Sequence, residues 1–92
     1  MNINIDNHKN IEEKLINLIN TILPEPVEIN ILLSDIDLEK VGLNSIGMVK
    51  LIIGIEDTFN IVIDEAYLME KTFNSYSKIE SYVLNMLSNI TD

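Results

Sequence analysis

Ile11, Leu15, Leu18, Ile19 and Ile22 recur at i, i+4, i+7, i+8 and i+11, and Pro24 and Pro26 follow at once. That spacing lays one apolar stripe along a helix, and such a stripe has to be buried against another element. Proline lacks an amide hydrogen and clashes with the preceding turn, so the stop is firm. The pattern predicts a first helix over residues 10–23, capped by Asn7. A second run, Leu51, Ile52, Ile55 and Phe59, predicts a helix over residues 45–58. Ile79, Tyr82, Val83, Met86 and Leu87 predict a last helix from a Ser75 cap to about Ser88, and residues 64–70 can make a short helix before it. Residues 24–44 have no long periodicity and are expected to form an extended loop, pinned to the core by Ile29, Ile31, Leu32, Leu33, Ile36, Leu38 and Val41. A loop of that length has a function or packing of its own. The expected fold is therefore all-α: a small four-helix bundle with a long loop between helices one and two.

Ninety-two residues suffice for one small core and not for two, which makes residues 10–88 one domain with flexible tails at 1–9 and 89–92. A deep catalytic cleft would have to be shared with a partner. The net charge of -9, with no arginine, opposes binding to nucleic acid and favours partners with basic patches. With no cysteine there is no thiol nucleophile and no disulfide framework, in keeping with a reducing compartment. The longest apolar stretch falls far short of a membrane span. Residues 1–10 lack the basic start and apolar centre of a signal peptide, so a cytoplasmic monomer is expected. Asparagine and isoleucine are unusually frequent, as an A+T-rich coding sequence would give, and that frequency speaks to codon usage rather than chemistry.

Chemistry concentrates at Ser45. Gly42 hinges the loop, Asn44 and Ser45 follow, and an apolar-periodic helix begins at once. The first turn of a helix has unpaired N–H groups and the positive end of the backbone dipole, which favour a phosphate ester there. By spacing alone, a serine at that point is a cap worth about 1 kcal/mol. The same helix is apolar on a second face, with Ile46, Val49 and Ile53 at i, i+3 and i+7. This fits either a fully buried helix or a docking surface. Lys50 stands beside that face; an isolated surface charge contributes little to stability. Gly54 costs the helix about 1 kcal/mol relative to alanine and permits close packing. His8, the single histidine, is expected to be solvated in the polar tail. Asp35, Asp37 and Glu39 alternate like calcium-loop ligands, but an EF-hand would require glycine where Lys40 stands and glutamate where Ile46 stands. They read instead as an acidic loop rim, and no metal site is expected. Tyr67, Tyr76 and Tyr82 read as packing residues. No acid, base or metal cluster converges on a catalytic centre, so the chain is not expected to be an enzyme.

An ordered set of motifs spans residues 11–87: an acidic loop, Gly42-Leu43-Asn44-Ser45-Ile46, then Leu51-Ile52-Ile53-Gly54-Ile55-Glu56-Asp57-Thr58-Phe59, then Phe73-Asn74-Ser75 before the last helix. In this order the chain resembles the phosphopantetheine-binding carrier proteins, the acyl, peptidyl and D-alanyl carriers. The resemblance implies a bundle of acyl-carrier-protein type. It also implies a 4'-phosphopantetheine arm attached to Ser45, flanked by Asn44 and Ile46, by a phosphopantetheinyl transferase using coenzyme A. Helix 45–58 then becomes the recognition element, with Val49, Lys50 and Ile53 as its partner-binding residues. Many members have aspartate where Asn44 stands and leucine where Ile46 stands, and fatty-acid carriers often hold glutamate in place of Lys50. Residues 59–79 align without a gap to the D-alanyl subgroup, with Phe73 in place of its tryptophan and Asp64 and Tyr76 in place of two prolines. The implied function is a stand-alone, non-catalytic carrier that holds acyl or aminoacyl intermediates as thioesters in non-ribosomal peptide, polyketide or related secondary metabolism. Its partners would be an adenylating ligase or acyltransferase and a downstream synthase or transferase. The alternatives are a D-alanyl carrier for teichoic acid modification and an unmodified acidic helical adaptor.

Overall fold

The computed structural model describes residues 3–64 and 73–90. Among them are four α-helices, one 3-10 turn and no strand: α1 (Ile3–Ile22), α2 (Ile29–Leu33), the 3-10 turn (Leu38–Val41), α3 (Ser45–Phe59) and α4 (Tyr76–Ile90). The all-helical bundle is as expected, with several changes at its boundaries. Helix α1 reaches back to Ile3, so Asn7 lies inside it rather than capping it, and His8 belongs to the helix and not to a tail. The short helix expected at residues 64–70 lies outside the described residues except for Asp64, which is not helical. Helix α4 starts one residue after Ser75, whose carbonyl accepts the Ile79 N–H at 3.2 Å, and it runs to Ile90.

The stripes find each other. Leu15, Ile19, Leu51, Ile55, Ile79 and Val83 are all essentially inaccessible to solvent, and each buried side chain of this size contributes about 1.5–3 kcal/mol. Helix α1 packs mainly on α3 and touches α4, and α2 also rests on α4. Gly54 has a role in this. A Cβ placed there would come within 2.7 Å of Leu18 Cδ1, so the missing side chain lets α1 lie close against α3. Phe73 is fully buried and meets the Tyr82 ring edge-on, with centroids 5.2 Å apart. Tyr76 is buried as well and donates its hydroxyl to Glu80 at 2.9 Å. Burial first, then that hydrogen bond and the nearby carboxylates, push its phenol well above the usual tyrosine range.

The segment between α1 and α3 departs furthest from expectation. It is not extended throughout: α2 and the 3-10 turn occupy nine of its 22 residues. Helices this short carry too few turns to show a period and are held by tertiary contacts. Leu32, Leu38 and Leu43 supply those contacts, all buried. The other apolar residues are not all pinned, since Ile29, Ile31 and Leu33 are exposed and Ile36 and Val41 are half-buried. Polar ties complete the job. The Asn20 side chain brackets the Val27 peptide unit, accepting its N–H at 2.8 Å and donating to its carbonyl at 3.2 Å. Farther along, Leu38 N–H donates to the Asn74 carbonyl at 2.8 Å. The expected acidic rim is partly structural: Asp37 accepts the Glu39 N–H at 3.0 Å, and Asp35 accepts the Ser77 N–H of α4 at 3.2 Å.

Gly42 closes the 3-10 turn with φ at +108°, a conformation that favours glycine, and a Cβ on it would fall 2.5 Å from Pro24 Cγ. Gly42→Ala therefore combines backbone strain with a clash against a stiff ring. It should lower stability by about 2 kcal/mol, seen as a drop of about 8–16 °C in Tm by circular dichroism. A change of a degree or two would show that the turn relaxes freely.

Candidate functional site at the start of helix α3

Three devices set the position where α3 begins. Leu43 N–H donates to the Leu38 carbonyl at 2.9 Å, folding the chain back over the 3-10 turn. Leu38 and Leu43 anchor both ends of that turn in the core. Asn44 then takes extended backbone geometry, and its side-chain oxygen accepts the Gly47 N–H at 2.7 Å while its carbonyl accepts the Met48 N–H at 2.8 Å. The N-cap is thus Asn44 and not Ser45, which is the first residue of the helix proper.

This division of labour matters. With the cap supplied next door, the Ser45 hydroxyl is spared that duty, and the residue is exposed. The N–H groups of Ser45 and Ile46 come too early in the helix to have carbonyl partners within it. The first turn contains no acidic residue. A dianionic or monoanionic phosphate ester on Ser45 would consequently meet unpaired donors and the positive end of the dipole, with no carboxylate from that turn opposing it. Gly47, buried beneath the cap, is a positioning residue that spacing did not single out. Its Cβ would stand 3.0 Å from Leu43 Cδ1, 3.3 Å from Asn44 Oδ1 and 3.4 Å from Ile22 Cγ2. The absence of a side chain lets the cap sit directly on α1.

Beyond Ser45 the helix keeps two faces. Leu51, Ile52 and Ile55 are buried, with Phe59 half-buried beside them. Ile46, Val49 and Ile53 are exposed, by 68%, 45% and 59% respectively, so the fully buried helix is excluded. Lys50 is exposed on the same side of the sequence stripe. Asn60 ends the helix in the left-handed region at φ 56°, which asparagine tolerates better than most residues. Of the residues singled out from sequence, Asn44, Ser45 and Ile46 fall together at the helix start, and Val49, Lys50 and Ile53 follow along its outer side.

A serine presented in this way on an all-helical scaffold has a known counterpart. The family described as the phosphopantetheine attachment site matches residues 13–83, and the chain belongs to it. Members of that family are non-catalytic carriers bearing a 4'-phosphopantetheine group, and membership implies a phosphopantetheinyl transferase and further enzymes as partners. No curated protein and no solved structure matches the chain. Among the described residues, no helix is long and apolar enough to cross a membrane.

The two neighbours, Asn44 and Ser45, separate stability from chemistry. Asn44→Ala removes the cap and should cost about 1 kcal/mol. Ser45→Ala should stay within about 0.5 kcal/mol of the parent chain, as for an exposed residue with no structural task. Urea denaturation of the two variants tests the order; a larger loss for Ser45→Ala would make the serine the structural member of the pair.

Proposed function

We propose that Ser45 is the attachment point of the 4'-phosphopantetheine group and that the chain is a stand-alone carrier of acyl or aminoacyl thioesters. The observation that carries this is the exposed Ser45 residue at the first position of α3, with capping assigned to Asn44. In the transferase the Ser45 oxygen attacks coenzyme A at the phosphate nearest pantetheine. A P–O ester bond forms, the pyrophosphate bond breaks, adenosine bisphosphate leaves and the hydroxyl proton passes to a base of the transferase. Once attached, the arm supplies a thiol for thioester formation. The chain's own residues hold the ester at an unobstructed helix start and offer α3 as a handle, with Val49, Lys50 and Ile53 as its partner-binding residues and Asn44 and Ile46 flanking the attachment point.

Incubation of the apo chain with coenzyme A and a broad-specificity phosphopantetheinyl transferase should add the mass of one phosphopantetheinyl group, and Ser45→Ala should add none. Intact mass spectrometry reads both results. Modification of the alanine variant would move the site elsewhere, and no modification of the parent chain would favour the acidic adaptor.

For cargo, the reading is an amino acid delivered by an adenylating ligase, including D-alanine, in preference to a fatty acyl group. Support comes from Lys50, which presents a cation on the recognition helix where a basic fatty-acid enzyme would be repelled. Holo protein offered amino acids with a neighbouring ligase should load efficiently, and malonyl transfer from a fatty-acid system should be slow. Lys50→Glu should raise the malonyl rate. Fast malonyl loading of the parent chain, without aminoacylation, would make this a fatty-acid or polyketide carrier. The adaptor reading has no observation in its favour beyond the departures at Asn44 and Lys50.

A further inference from the structure

Helix α2 ends on a residue that strains its backbone. After the C-cap Ser34, Asp35 takes the left-handed conformation, with φ at 67°, and its N–H donates to the Leu32 carbonyl at 3.3 Å. Glycine is the usual residue at such a stop, because a side chain there crowds the backbone. The side chain that stands there instead reaches α4. Its Oδ1 accepts the Ser77 N–H at 3.2 Å, although 42 positions of sequence separate the two residues. Ser77 is the second residue of α4, so its N–H has no carbonyl partner inside the helix, and that first turn contains no acidic residue of its own. Three residues beyond Asp35, the Leu38 N–H donates to the Asn74 carbonyl at 2.8 Å, and the Lys78 ammonium holds the Asn74 side chain at 3.1 Å. The segment before α3 thus grips the start of α4 at two points.

We propose that Asp35 is a positioning residue for Ser45, a latch that ties the start of α4 to the segment that sets where α3 begins. This rests on the reading of Ser45 as the attachment point. The path from latch to serine is short. From Leu38 the 3-10 turn leads to Leu43, whose N–H returns to the Leu38 carbonyl at 2.9 Å, and Asn44 and Ser45 follow at once. Leu38 and Leu43 are both buried, and a close-packed interior does not let one end of the turn shift without displacing the other. With the latch closed, the turn is held against α4 and the helix start is offered in one place. With it open, the segment loses its charged tie to α4, and a smaller share of molecules presents Ser45 in the position an enzyme can use. The carboxylate, rather than the left-handed turn that bears it, is what the site depends on.

Amide hydrogen exchange of the apo chain, followed residue by residue by NMR, reads the latch. Asp35→Gly keeps the left-handed backbone and removes the carboxylate, and it should speed exchange about fivefold at Leu38 and Leu43 as well as at Ser77. Asp35→Asn retains an acceptor oxygen and tolerates the same conformation, so it should stay within about twofold of the parent. Tyr76→Phe removes the hydroxyl hydrogen bond to Glu80 at the same end of α4 and should leave Leu38 and Leu43 at parent rates. With coenzyme A and a phosphopantetheinyl transferase, Asp35→Gly should raise the KM for the chain about threefold with kcat within about twofold, and Asp35→Asn should restore it. Parent rates at Leu38 and Leu43 in Asp35→Gly, or an equal acceleration in Tyr76→Phe, overturn the latch. Faster exchange with an unchanged KM overturns its role in positioning Ser45. A phosphopantetheinyl mass gained by Ser45→Ala would instead overturn the attachment reading and leave the exchange results standing.

Discussion

The close contact between α1 and α3 decides what every other part of the molecule can do. Leu51 and Ile55 face inward with Leu15 and Ile19, and Gly54 gives Leu18 room to approach. Once that face of α3 is spent on the core, the rotation of the helix is fixed, and so is the side on which Ile46, Val49 and Ile53 emerge. A helix buried all round could not also serve as a handle. The apolar residues of α3 therefore divide between a buried set and an exposed set, and the division follows from where α1 lies.

Helix rotation alone does not place Ser45; its height along α3 comes from the segment before it. Three hydrophobic residues of that segment, Leu32, Leu38 and Leu43, are buried, and three polar ties hold its backbone. Asn20 clamps Val27, Asn74 accepts from Leu38, and Asp35 accepts from Ser77 across 42 positions of sequence. The site is thus positioned by residues far from it in the chain, and Gly42 in its left-handed turn is the last joint before it. Phe73 and Tyr76 secure the other end of the same arrangement, from beneath the start of α4.

Long stripes could be read from the sequence because burial repeats every turn: Leu15, Ile19, Leu51, Ile55, Ile79 and Val83 all lie where the period puts them. The serine at the start of α3 was legible for the same reason, since the helix it opens is strongly periodic. Helix α2 was not, because five residues offer barely more than one turn of pattern, and Ile29 and Leu33 look like core residues until tertiary structure turns them outward. The identity of the cap was also hidden. Asn44 and Ser45 are both good capping residues, and only the fold says which one's side-chain oxygen accepts the free N–H. Some of the asparagines have structural tasks that their frequency did not reveal. Asn20, Asn44 and Asn60 serve as clamp, cap and left-handed stop.

The choice of an amide rather than a carboxylate at position 44 has an electrical consequence. Both side chains can accept the Gly47 N–H, but an aspartate would hold a negative charge on the residue next to the proposed ester. Two unit charges about 6 Å apart in water repel by about 0.7 kcal/mol, and more where solvent is displaced. With Asn44 that repulsion is absent, so an ester on Ser45, as proposed, would meet no charge from its capping neighbour. On the proposed reading, the cap that holds the first turn of α3 would therefore be the same before and after modification, because Asn44 bears no charge for the ester to repel.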